Sequence, residues 1–234
     1  MSPVRRIAPA LLRRELAELS LLAVPLVLAQ LAQMSMGFID TLMAGRLGPE
    51  ALAGIALGSV VFGFVSIVSM GVLFSVAPSV SQAHGADRPD DAARAARQGL
   101  WLAAGLSLPG IALFQAAGPL LVAAGQEPAT AALAGAYLGA ASFGLLPSLA
   151  LVALRGFLEG LGDTRPIMLV LFAGVGLNVL ANNAFMFGRW GFPALGLMGT
   201  GVATAIVYTV MALAAGVYVA RRYRRYRVLR GLRR

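Results

Sequence analysis

The sequence has no cysteine, no lysine and a single histidine, His84, and only 12% of its 234 residues are charged, against about 25% in an ordinary soluble domain. Without cysteine there is no disulfide framework, no thiolate metal site and no cysteine nucleophile. One histidine, with no HExxH pattern around it, excludes an intramembrane zinc protease, and it leaves an intramembrane serine protease without its usual base. No GxxxxGK[ST] segment is present, so the chain is not by itself an ATP-driven pump. Acidic groups are scarce as well: of ten, all but Asp40 fall in predicted loops or at the ends of apolar runs.

What fills the sequence instead is apolar. Hydrophobic residues make up 59%, and the mean hydropathy is +0.79. A helix crosses a bilayer with about 20 apolar residues, and six such runs can be placed near 20–44, 51–76, 94–117, 129–153, 166–187 and 197–220. The expected fold is therefore an all-α integral membrane protein of six transmembrane helices, with a basic N-terminal segment at 1–19, the helical lobe at 20–220 and an arginine-rich tail at 221–234. The first run outlasts the roughly 7–15 residues of a signal-peptide core, and it is expected to stay on the protein. All 19 basic residues are arginine. With both termini cytoplasmic, every one except Arg46 and Arg189 lies on the inner side, as the positive-inside rule requires. The location that follows is a multi-pass protein of the cell's inner (plasma) membrane.

The longest hydrophilic connection is predicted from Gln82 to Gly99, where Asp87, Asp90 and Asp91 precede Arg94 and Arg97 as they would at a helix start. The other connections, GRLGPEAL, GQEPAT, EGLGDTRP and GRWGFPALG, are short and marked by Gly and Pro. The tail RRYRRYRVLRGLRR interleaves tyrosine with arginine. Directly after a membrane span, that pattern favours anionic lipid headgroups over nucleic acid. Gly135 with Gly139, Gly156 with Gly160 and Gly196 with Gly199 are spaced for close helix approach.

Asp40 stands in the outer part of the first run, where an ionised carboxylate needs a partner or water. Two readings are open: a cation or proton site, or an interfacial carboxylate reaching headgroup water near Arg46. At 100° per residue, Gln33, Gly37 and Asp40 share one stripe with Gln30 close by, so this polar face points into a bundle or cavity. Pro25, in the same run, removes a backbone hydrogen bond and bends the helix, as a moving element or as a static kink. In the fifth run Asn178 and Asn182 stack at i, i+4. Their amides can solvate a cation or a carboxyl, or act as interhelical glue. Tyr137 and Thr204 are further polar candidates in the fourth and sixth runs. Met34, Met36, Met43 and Met70 offer an adaptable apolar surface or plain core.

Four segments in order, PLVLAQLAQMSMGFIDTLMAGRLG, LRGFLEGLGDTRP, GLNVLANNAFMFG and GTGVATAIV, resemble the MATE (multidrug and toxic compound extrusion) family of efflux transporters, with the NorM-like branch nearest. The resemblance runs from about Leu21 to Arg227. It implies twelve helices in two six-helix lobes, of which this chain looks like the N-terminal one. It further implies export of cationic and amphipathic small molecules against Na⁺ or H⁺ as the coupling ion, with no other cofactor. By the same resemblance Asp40 maps onto the coupling-ion site, including a possible Na⁺ site, Asn178 and Asn182 onto the asparagine pair beside it, and Tyr137 and Thr204 onto pocket-lining positions. Pro25 maps onto the proline at which the first helix bends.

The second lobe is absent from the sequence, which is expected of a truncated reading frame or a fragment. A parallel homodimer is the alternative, because a lobe that starts and ends inside can pair about an axis along the membrane normal. Antiport is the leading expectation. A non-transporting remnant lobe or assembly partner is a second, and a flippase of lipid-linked polysaccharides a third, although the lone intramembrane carboxylate favours cationic cargo.

Overall fold

The computed structural model describes residues 9–226 and 228; the basic segment before Pro9 and most of the tail after Tyr226 lie outside the described residues. All regular structure among those described is helical. The elements are α1 (Pro9–Gly45), α2 (Pro49–Leu73), α3 (Val76–Gly85), α4 (Pro89–Gln115), α5 (Ala117–Ala123), α6 (Pro128–Ala141), α7 (Leu145–Gly160), α8 (Arg165–Phe185) and α9 (Leu197–Arg222). Five described helical segments are long and apolar enough to cross a membrane. A sixth crossing results when α4 and α5, bent by 60° at their junction, count as one.

Proline sets both the starts and the breaks. α2, α4, α6 and α8 open with proline in the first turn, at Pro49, Pro89, Pro128 and Pro166. There a missing N–H leaves no intrahelical partner wanting. Within a span a proline frees the carbonyl four residues earlier, and three interruptions fall at that offset. Phe74 caps the C-terminus of α2 four residues before Pro78, Gln115 ends α4 four before Pro119, and Phe143 lies in the 3₁₀ turn Ser142–Gly144 four before Pro147. Side chains cover the exposed backbone at two of these breaks. Ser75 Oγ donates to Val72 O (2.9 Å), while Gln115 Nε2 donates to Ser142 Oγ (2.9 Å) and Gly139 O (3.2 Å). Pro25 and Pro109 bear no such break; α1 and α4 run through them.

These helices shift several of the expected boundaries. α1 begins at Pro9, ahead of the expected start near residue 20. The second run continues as α3 to Gly85, so the expected loop from Gln82 to Gly99 shrinks to Ala86, Asp87 and Arg88, and Asp90 and Asp91 sit in the first turn of α4. LRGFLEG belongs to α7 rather than to a connection.

α7 and α9 form the middle of the bundle. α7 packs on α3, α4 and α9, and α9 also on α6 and α8, whereas α1 lies at one edge against α8 and α2. The buried surfaces are rich in alanine, including Ala29, Ala32, Ala103, Ala131, Ala134, Ala141, Ala153 and Ala203, while Val60, Phe64, Ile67, Leu108 and Leu169 are exposed. This inversion is what lipid solvent produces, because helices associate through small residues and large apolar ones face hydrocarbon. Met36 and Met43 are core, and Met34 is exposed.

Helices approach closely at Gly201, where any Cβ would run into the backbone carbonyl of Tyr137 and lie 2.9 Å from the nitrogen of Ala141. Gly196 serves a turn instead, at φ +57° with open space around it. Because backbone on a packed helix cannot step aside, Gly201→Ala is expected to destabilise the lobe by about 1–3 kcal/mol. Gly176→Ala, on an open face of α8 with nothing within 4 Å, should leave the lobe as stable as the parent. Thermal unfolding of the two variants in one detergent checks the contrast.

Candidate functional site

Asp40 lies one helical turn before the end of α1, and its side chain turns inward. Asn178 and Asn182, stacked on the facing side of α8, each donate Nδ2 to the same carboxylate oxygen, Oδ1, at 3.0 and 2.7 Å. Among the described residues Oδ2 has no hydrogen-bond partner and is not sealed from solvent, so it opens on the cavity beside it. The interfacial alternative, with Asp40 turned toward Arg46, is not the arrangement present. The two asparagines do act as glue, and what they glue is the carboxylate. Asn183 instead donates Nδ2 to Val179 O, one turn back on its own helix, at 2.8 Å.

The cavity, of about 200 Å³, gathers Gln33, Gly37 and Asp40 from α1, Ser59 and Phe62 from α2, Tyr137 from α6, Asn178 from α8, and Thr204 and Tyr208 from α9. The α1 stripe is therefore assembled as its spacing predicts. Tyr137 reaches it because Gly58 has no side chain: a Cβ there would lie 2.6 Å from the tyrosine ring. The Oδ1 atoms of Asn178 and Asn182 and the Oγ1 of Thr204 are buried without a hydrogen-bond partner. Unpartnered buried oxygens are rare in folded proteins. Two of the three belong to residues, Asn178 and Thr204, that line the same cavity as Asp40, so the cavity offers oxygen ligands and one negative charge. Such a set suits a monovalent hard cation or a proton, and among the described residues no three His, Asp or Glu side chains gather as a transition-metal site would need.

Gln30 does not reach this cavity. It lines a neighbouring one of about 160 Å³, which shares Gln33, Phe62 and Tyr208 with the first and contains Arg155 and Glu159. Sequence reasoning placed both charges outside the membrane helices, but they lie on α7, paired at 2.6 Å, and Arg155 also donates to Gln33 Oε1 at 3.3 Å. Tyr208 and Ser59 were missed as well. Tyr208 had a signal, since it follows Thr204 at i+4 on one face of α9; Ser59 had none beyond being polar in an apolar run. Pro25 is buried in α1, some 22 Å along the helix from Asp40 at 1.5 Å per residue.

The MatE family model matches residues 25–183. The chain is 42% identical over 205 residues to a probable multidrug resistance protein NorM of Pseudomonas putida, covering 88% of this chain and 44% of that protein. It is 39% identical over 209 residues to the multidrug resistance protein MdtK of Edwardsiella ictaluri, covering 89% and 46%. The fold matches a solved outward-facing multidrug resistance MATE transporter of the MOP superfamily (TM-score 0.79, 22% identity, 88% of this chain and 45% of that one). It also matches the eukaryotic MATE transporter AtDTX14 (TM-score 0.77, 22% identity, 88% and 46%). The chain spans about half the length of the relatives it matches. It is a multi-pass membrane protein that belongs to the MatE family, the multidrug and toxic compound extrusion transporters, a family of transporters and not of enzymes.

Proposed function

We propose that this lobe is the ion-coupling half of a secondary antiporter that exports cationic and amphipathic small molecules in exchange for Na⁺ or H⁺ across the inner (plasma) membrane. The observation that carries this reading is the half-satisfied carboxylate of Asp40, with one oxygen held by two amides and the other without a partner among the described residues, beside a cavity that Asn178 and Thr204 also line. Both termini are assigned to the cytoplasm on the strength of the arginine distribution.

Burying a carboxylate costs several kcal/mol, and each hydrogen bond to it returns about 1.5–3 kcal/mol. The two amides therefore offset much of that cost without neutralising the charge. A cation or proton arriving at Oδ2 removes the charge, and with it part of what holds α1 to α8. Coupling needs no more than a difference in ion affinity between two positions of α1, and Pro25 supplies the place where α1 bends. Tyr137, Thr204, Gln33 and Gly37 form the walls of the ion compartment.

Its volume of about 200 Å³ is below the roughly 300–1,000 Å³ of drug-sized pockets. The compartment therefore takes an ion with water, and organic cations bind outside it, against the open face of the lobe. A second six-helix lobe completes that face, either the C-terminal half of a longer transporter or another copy in a parallel homodimer. The half-length match supports equally a lobe that assembles with a partner and carries no transport alone.

Asp40→Asn is expected to abolish efflux of a fluorescent organic cation from liposomes under an imposed Na⁺ or pH gradient while the melting temperature stays within a few degrees. Unchanged efflux would remove Asp40 from coupling, and absence of efflux from the folded parent chain would favour the partner-dependent lobe. Asn182→Leu should cost about 1.5–3 kcal/mol of stability in the parent and far less in an Asp40→Leu background. A double-mutant cycle measures that coupling energy directly. Na⁺ as the coupling ion predicts that Na⁺, but not choline, raises the melting temperature, with the increase lost in Asp40→Asn.

A further inference from the structure

On the face away from Asp40, α4 and α9 form the walls of an apolar groove whose floor is α7. Its volume is about 610 Å³, and its lining includes Trp101 from α4, Pro147 and Ala150 from α7, and Leu213, Gly216 and Val217 from α9. Nothing polar is left free inside it: the hydroxyl of Thr209 returns its hydrogen bond to Ala205 O at 2.7 Å. Trp101, Leu213 and Val217 remain exposed.

We propose that this groove binds one anionic glycerophospholipid, with an acyl chain along α7 and the phosphate at Arg97 and Arg221. Length is the first argument. On α9 the groove runs from Thr209 to Ala220, about 17 Å at 1.5 Å per residue, and half of a 30 Å hydrocarbon core is about 15 Å. The groove thus covers one leaflet, from the midplane to the end of the bundle where α9 stops.

Charge is the second argument. Arg97 lies one turn beyond Leu100 and Trp101 on the same stripe of α4, and Arg221 lies one turn beyond Val217 on the lining stripe of α9. Both walls therefore place an arginine at the same mouth. Arg221 and Arg224 are exposed there, and the one-turn helix Arg224–Tyr226 crosses toward α4 below them. The nearest carboxylate on α4, Asp91, is engaged by Arg94 at 3.5 Å. An apolar slot one leaflet deep with arginines at its headgroup end fits a phosphodiester carrying a net negative charge better than a zwitterionic lipid.

The test is native mass spectrometry of the full 234-residue chain, released from detergent after titration with phosphatidylglycerol or with phosphatidylcholine of the same acyl chains. One phosphatidylglycerol per chain is expected to be retained under activation that strips phosphatidylcholine. Removing two arginines near the headgroup, in Arg97→Gln/Arg221→Gln, should weaken phosphatidylglycerol binding roughly thirtyfold, and Arg97→Lys/Arg221→Lys should restore most of it. Gly216→Leu tests the groove itself. A Cβ there meets only Leu154 Cδ1 at 3.8 Å, so the chain folds and the new side chain fills the slot, displacing both lipids. Equal retention of the two lipids, or phosphatidylglycerol binding that survives Gly216→Leu, overturns the proposal. So does displacement by glycerol phosphate alone, or a two-chain mass without lipid that Gly216→Leu disperses.

Discussion

A carboxylate placed among membrane helices has to be answered from within the protein, and that requirement organises this lobe. Among the described residues α1 is an edge helix, packed mainly on α8 and α2 and buried largely through small residues such as Ala29, Ala32 and Ala44. Apolar burial does not favour one helix contact strongly over contact with lipid, because both surroundings are hydrocarbon. Polar ties therefore decide where α1 sits. Among the described residues these include Asp40 to Asn178 and Asn182 near one end, and Gln33 to Arg155 two turns away. A helix held at its edge by a few hydrogen bonds, one set of them on a titratable group, can be moved by small chemical changes.

The same low-dielectric surroundings explain the broken spans. Backbone groups freed by proline have no water to turn to in hydrocarbon and must be satisfied by nearby side chains or buried against neighbouring helices. The break before Pro147 is buried against α9, and Gly144 lets the backbone of Ala205 approach it. Gln115 reaches across from α4 to cover it. A helix in the middle of the bundle thus follows an interruption, and α7 runs on from it against α3 and α4, where Arg155 and Glu159 meet the cavity wall.

How much of this was legible in the sequence depends on range. Features that follow from the period of one helix were readable: the stripe Gln33, Gly37, Asp40, the stacked pair Asn178 and Asn182, and six apolar runs in order. Features that depend on which helices become neighbours were not. Gln30 lies close to the stripe but far enough along α1 to line the adjacent cavity instead. Arg155 and Glu159 read as connection because charge marks loop ends, yet α7 continues to Gly160 and each charge neutralises the other at i, i+4. Gln82 to Gly99 read as loop because it is hydrophilic, but polarity distinguishes membrane from water and does not distinguish helix from coil. The proline offsets were present in the sequence, and the carbonyl four residues earlier is the rule that reads them.

Cavity size bears on how a single lobe and a whole transporter divide the work. The Asp40 compartment and its neighbour share Gln33, Phe62 and Tyr208, and together their volumes reach only the lower end of what a drug-sized ligand fills. Their polar groups include unpartnered oxygens on Asn178 and Thr204 in the compartment of Asp40, and a closed ion pair at Arg155 and Glu159 in its neighbour. The first lack partners and the second is already satisfied. On the antiport reading, ion and cargo then compete through the position of α1 instead of for one set of atoms. Such indirect competition relaxes the demand on cargo shape, since nothing in the ion compartment has to fit the exported molecule.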